Sequence, residues 1–297
     1  MTDLMEGGQI WMPVPDNIPS SNSSYEPFLP QSPEQLLSSG NFNTNVDVMI
    51  GNTADEGIVY LLSPLAGYET WEDFKNNFDI YGPRNLFNIA NKSEISETDI
   101  EKTNQIVEFY LGSNVNINEE HQQELFDMFT DASMQYGNYR TIQYLLKNNV
   151  KTFNYIFSYE GKIFSKLFEK VGVIFWLQIN FYSSHKGQFS ASQAFAGVDP
   201  VGVCHGDDLI YLWEPLIEDS GLGPLTGTDV NVRELMTEFW KNFAVFGNPT
   251  PSGSKYSWLP VTNSRYQQFL NISGLDPQMT ISEDIQRKMD FWESLLN

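Results

Sequence analysis

Two residues of this chain have the types and surroundings to move a proton together. Glu56 lies in GNTADEGIVY, where a short apolar run gives way to a turn. His205 lies in GVCHGDDLIYLW, 149 residues later. A buried carboxylate can hold one imidazole tautomer and stabilise the imidazolium, and an imidazole with a near-neutral pKa can take a hydroxyl proton. Gly51 and Gly57 flank Glu56, and Gly202 and Gly206 flank His205. Glycines permit the tight turns that aim such side chains. The order, acid before histidine, is that of the last two members of a Ser…Asp/Glu…His triad. The first member is missing: the 297 residues hold no G-x-S-x-G and no HGGG-type run.

Other reactive groups carry less. Cys204, beside His205, is the only cysteine, which excludes an intrachain disulfide and a Cys-rich zinc site. Neighbours on an extended segment point to opposite sides, so Cys204 is expected to face the interior. Asp207 and Asp208 follow the histidine, but a metal needs several converging hard ligands. They read as structural or solvated, and neither a metal nor an organic cofactor is expected. His121 in EEHQQELF reads as a solvated helix residue, and His185 has no motif around it. Tyr211, Trp213 and Trp240 read as core.

These side chains need a scaffold. VDVMIGNT, residues 46–53, is an apolar run closed by Gly and Asn and reads as a buried strand. Amphipathic helices are expected through 69–150, one marked by Ile106, Val107 and Tyr110, another by Leu125, Phe126 and Phe129. TFNYIFSY, 152–159, alternates like a strand. In 231–247, Leu235, Met236, Phe239, Trp240 and Phe243 share a helical face, and Gly247 with Pro249 stops the helix. SKYSWLPV and RYQQFLNIS read as two edge strands of a hairpin. A last helix is capped by Ser282, with Ile285, Met289, Trp292 and Leu296 on its apolar face. Strands alternating with helices give an α/β class with a mostly parallel sheet.

Bulk properties narrow the partners. The net charge is −21, from 17 basic and 38 acidic residues, and such a surface repels nucleic acid. The longest apolar stretch, 171–182, is shorter than the ~20 residues a membrane span needs. MTDLMEGGQIWMPVPD has neither a basic nor an apolar region and does not read as a secretory leader. Asn22, Asn91 and Asn271 head N-x-[ST] sequons, which suit a secreted protein. Nothing in the chain sets an oligomeric state.

Five strings in order resemble the type-B carboxylesterase and cholinesterase family. MPVPD with FLPQSPEQLLSSGNFN is similar to the family's approach to its acid. VDVMIGNTADEG is similar to its strand and acid turn, and GVCHGDDLIYLW to its histidine loop. MTEFWKNFAVFGNPTP resembles its late helix and Gly-Asn-Pro turn. Trp258-x-Pro260 and the final Phe-Trp helix complete the series. The resemblance implies the C-terminal portion of an α/β-hydrolase across 1–297, with Glu56 and His205 as triad members and a small carboxylic ester as substrate of the intact protein. It also implies that the serine and oxyanion hole lie in sequence not present here, so that this chain alone is inactive. Three other readings stay open: an incomplete gene product without independent function, a cholinesterase-like adhesion protein, and a non-catalytic partner completing another chain. One segment departs from the pattern. SYEGKIFS and SHKGQFSAS start one connection twice, and Gly161-Lys162 can be encoded by a splice-donor-like GGTAAG. Residues 161–184 therefore read as translated intron, the alternative being a genuine helical insertion.

Overall fold

A computed structural model describes residues 15–16, 27–60, 71–89, 91–113, 115–161, 202–213 and 224–296. The proposed intron from Lys162 onward, His185 and Asn22 lie outside them. Helix α1 (Pro33–Ser39) opens on a capping box between Ser32 and Gln35. Strand β1 (Val48–Thr53) runs into a turn at 54–57. A helical layer follows: α2 (Trp71–Asn76), α3 (Phe78–Leu86), α4 (Glu97–Leu111) and α5 (Gln122–Thr130). A π-helical turn, Asp131–Gln135, leads from α5 directly into α6 (Tyr136–Lys147). Strand β2 (Thr152–Phe157) comes next, then α7 (Asp207–Leu212), which starts two residues after His205 with Gly206 as its N-cap. The chain continues through α8 (Thr228–Phe246), β3 (Phe269–Ile272), β4 (Gln278–Thr280) and α9 (Glu283–Leu296).

Among the described residues the strands form one sheet in the order β1-β2-β3-β4. The first three are parallel, with Val48 opposite Thr152 and Tyr155 opposite Leu270. Only β4 runs antiparallel, with Phe269 opposite Thr280. Strand β2 is buried along its whole length, as a central parallel strand covered on both faces must be. Its Phe153, Tyr155 and Phe157 pack with Leu235, Met236 and Phe239 of α8. Its Asn154, on the opposite face, lines a cleft with Tyr139 of α6 and Gln286 of α9. A second core, among Phe74, Ile106, Leu125, Phe129 and Trp292, joins α2, α4, α5 and α9. The helix ends follow local chemistry: Gly247 takes φ 61° and terminates α8, and the Ser282 hydroxyl accepts from the Ile285 N–H at 3.2 Å.

Two expectations are corrected. SKYSWLPV forms no strand. Trp258 instead plugs the core between Phe153, Tyr155 and Phe239, and its indole N–H donates to the Asn154 carbonyl at 3.0 Å. Pro260 has no N–H to offer a ladder. The hairpin partner of RYQQFLNIS is Gln278–Thr280, and β3 lies inside the sheet rather than at its edge. Trp213 is 60% exposed and not core, because α7 ends one residue before it, whereas Tyr211 is buried.

Candidate active site

The turn after β1 fixes the carboxylate first. Its backbone folds back so that the Thr53 N–H donates to Glu56 Oε1 at 2.7 Å. Glu56 is 4% exposed. The turn sits hard against α5. The Gly57 N–H donates to Thr130 Oγ1 at 2.8 Å, and a Cβ on Gly57 would lie 2.0 Å from the Phe126 carbonyl oxygen. Only a residue without a side chain fits there.

The histidine loop arrives from the far side of the sequence. His205 Nδ1 lies 2.5 Å from Glu56 Oε2. The two residues singled out by type and motif therefore meet, although 149 residues separate them. With Glu56 ionised, Nδ1 carries the proton and Nε2 is left with its lone pair. Nε2 has no hydrogen-bond partner among the described residues, and the His205 side chain is 55% exposed. The hydrogen bond to Glu56 raises the imidazole pKa; burial works against this, and the charges of Glu56 and Asp208 add to it. The result is a base oriented on one side and open on the other.

Three further carboxylates crowd this pair, and each is placed by a specific donor. Asp55 Oδ2 accepts from the Val203 N–H at 2.8 Å, and burial raises its pKa. Asp207 Oδ2 accepts from the Cys204 N–H at 2.8 Å, and burial pushes its pKa up to about 8. Asp208 Oδ2 accepts from the Tyr155 hydroxyl at 2.9 Å, and burial raises its pKa too. Both Asp207 and Asp208 are buried. Motif reasoning singled out the pair at 207 and 208 without showing what they bind. The part played by Asp55 had no sequence signal beyond its place before Glu56.

Cys204 is buried in the helical core, and burial pushes its thiol well above the ordinary range, which leaves it protonated and inert. His121 ends a short 3-10 turn before α5 and is half-buried rather than solvated. Asn91 is exposed, while Asn271 sits half-buried in β3 with its side-chain oxygen taken by the Ser158 hydroxyl at 2.6 Å. Among the described residues no cluster of three or more His, Cys, Asp and Glu is arranged to hold a metal ion. None of the described helices is long and apolar enough to cross a membrane.

The model of the carboxylesterase family matches residues 5–292. The chain belongs to that family. Its mixed, mostly parallel sheet with flanking helices accordingly belongs to an α/β-hydrolase fold. The chain is also 28% identical over 239 residues to the juvenile hormone esterase of Tribolium castaneum. That match covers 78% of this chain and 35% of the relative, so the chain spans little more than a third of the curated relative it matches.

Proposed function

We propose that this chain supplies the acid and the base of a serine-dependent carboxylic-ester hydrolase. The observation that carries this is the contact of His205 Nδ1 with the buried Glu56 carboxylate at 2.5 Å, with Nε2 unpaired among the described residues. In the intact enzyme Nε2 takes the serine proton as the hydroxyl attacks the ester carbonyl. It then returns that proton to the leaving alkoxide, and Glu56 stabilises the imidazolium in between. The nucleophilic serine and the oxyanion hole come from residues outside these 297, since the sequence holds no G-x-S-x-G. The substrate is a small carboxylic ester, and the name of the Tribolium relative makes a hormone ester the first to try. No cofactor enters the reaction. An extracellular site for the intact protein suits the sequon at the exposed Asn91.

The missing nucleophile also favours a second reading, a non-catalytic binding protein built on the same fold. Against it stands the two-oxygen fixation of Glu56, which a scaffold without proton transfer has no need to keep. The transcript upstream of the Met1 codon separates the two. An in-frame G-x-S-x-G supports the hydrolase, and the same motif with its serine replaced supports the binding protein. The purified 297-residue chain should not turn over p-nitrophenyl acetate above a heat-denatured control, because the largest catalytic groups are absent. Turnover abolished by a serine-directed phosphonate would overturn this assignment.

A further inference from the structure

We propose that Asp55 is a positioning residue that docks the histidine loop onto the acid turn and thereby sets the contact between Glu56 and His205. The inference rests on the acid–base role of that pair. Asp55 grips Val203 at two points. Its backbone N–H donates to the Val203 carbonyl at 2.9 Å, and its Oδ2 accepts from the Val203 N–H at 2.8 Å. Two adjacent residues of the turn thus hold two nearby residues of the loop: Asp55 takes Val203, and Glu56 takes His205.

The grip is itself braced. Gln123 Nε2, on α5, donates to Asp55 Oδ1 at 3.0 Å and to Asp127 Oδ1 at 3.0 Å. Asp127 Oδ2 in turn meets Lys288 Nζ of α9 at 2.8 Å, and Lys288 also reaches Asp284 at 3.0 Å. A continuous polar chain therefore runs from the last helix, through α5, to the loop that carries the base. The loop is shaped to receive Asp55. Gly202 adopts φ +82°, and a Cβ there would stand 2.3 Å from Asp55 Oδ2. Taking even a half-buried carboxylate such as Asp55 partly out of water is costly unless donors meet it. Here each oxygen has one, and both hold the loop in register.

The histidine needs such help because its side chain is 55% exposed. A catalytic base must hold its geometry to about half an ångström. The charged groups that act on the imidazole are Glu56 and Asp208, while those acting on Asp55 are Asp127 and Lys288. Asp55 thus reaches His205 through geometry.

The test is the titration of His205 in the 297-residue chain labelled at histidine with 13C. There are only three histidines, and His205→Ala assigns the resonance. Glu56→Gln is measured first. If it leaves the His205 midpoint unchanged, the acid–base pair itself is wrong and the proposed function falls with it. If it lowers the midpoint, Asp55→Ala is expected to lower it equally and to remove the downfield Nδ1–H resonance, with the circular dichroism of a folded chain. Asp55→Asn lacks the charge but still offers an oxygen to the Val203 N–H, and is expected to restore both signals. A folded Asp55→Ala that titrates like the wild type overturns the positioning role, and so does Asp55→Asn behaving like Ala. Should Asp55→Ala not fold, Gln123→Ala decides: a midpoint between those of wild type and Glu56→Gln supports the brace, and a wild-type midpoint overturns it.

Discussion

Thr53 and Glu56 are joined within a single turn: the backbone N–H of Thr53 holds Glu56 Oε1 at 2.7 Å and leaves Oε2 to His205. The acid is thus set by local structure, and only the base has to be brought in by the fold. Glu56→Gln can keep the Thr53 bond but presents an amide, without charge, to Nδ1. In the intact hydrolase proposed above it is expected to lower kcat by about 10⁴-fold, with little change in KM, because the wrong tautomer is favoured. Steady-state kinetics on a soluble ester check this, and a loss confined to KM would contradict it.

The site has a pH signature with one sign. His205 is raised above its ordinary 6.5. Its stabilising contribution is therefore full below the unfolded value and is lost as pH rises through the folded one. Asp207 behaves alike, since its pKa goes from 3.8 to about 8, and its contribution drains away across that interval. Asp207→Asn keeps an acceptor for the Cys204 N–H but cannot ionise. It should melt higher than wild type at about pH 9 and lose that advantage in acid. A constant difference across the pH range would show that ionisation of Asp207 is not what costs stability.

Gly57→Ala places a Cβ against the backbone of α5, 2.0 Å from the Phe126 oxygen and 2.7 Å from the Thr130 nitrogen. Backbone cannot step aside as a flexible side chain can. A cost of about 1–3 kcal/mol or more is expected in urea denaturation, together with a lower His205 midpoint as Glu56 is displaced. An Ala variant with wild-type stability and titration would mean that the turn has room the structure does not show.

Trp258 is 2% exposed and stitches α8 to β2. Trp258→Ala should cost about 3–5 kcal/mol by the same denaturation. It also frees the Asn154 carbonyl from its indole partner. A loss below about 1 kcal/mol would show that the core refills the space.

Residues 161–184 are proposed to be translated intron. Sequencing the mature messenger decides this. Absence of these codons from the dominant transcript, with SYE joined to HKGQFS, is the expected result, and their persistence makes the segment a genuine insertion.

Much of the architecture was legible because it is local. The apolar run before Asn52, the Gly247 stop and the Ser282 cap depend on neighbours a few residues away, so periodicity and capping chemistry reveal them. Glu56 and His205 stood out because their turns have recognisable strings. Those strings could not state a distance, since contact across 149 residues depends on how the acid turn after β1 and the histidine loop dock on one another. Trp258 misled because an aromatic among Tyr256, Leu259 and Val261 looks strand-like, while its true role is a plug under β2. Trp213 misled because aromatic content says nothing about where a six-residue helix ends. Gln123, Asp127 and Lys288 carried no signal at all, and Asp55 none beyond its place before Glu56. Acidic, amide and basic residues are ordinary on solvated surfaces, and only tertiary packing, by bringing α5 and α9 to the acid turn, gave each a partner and made the carboxylate beside the acid the clamp on the base.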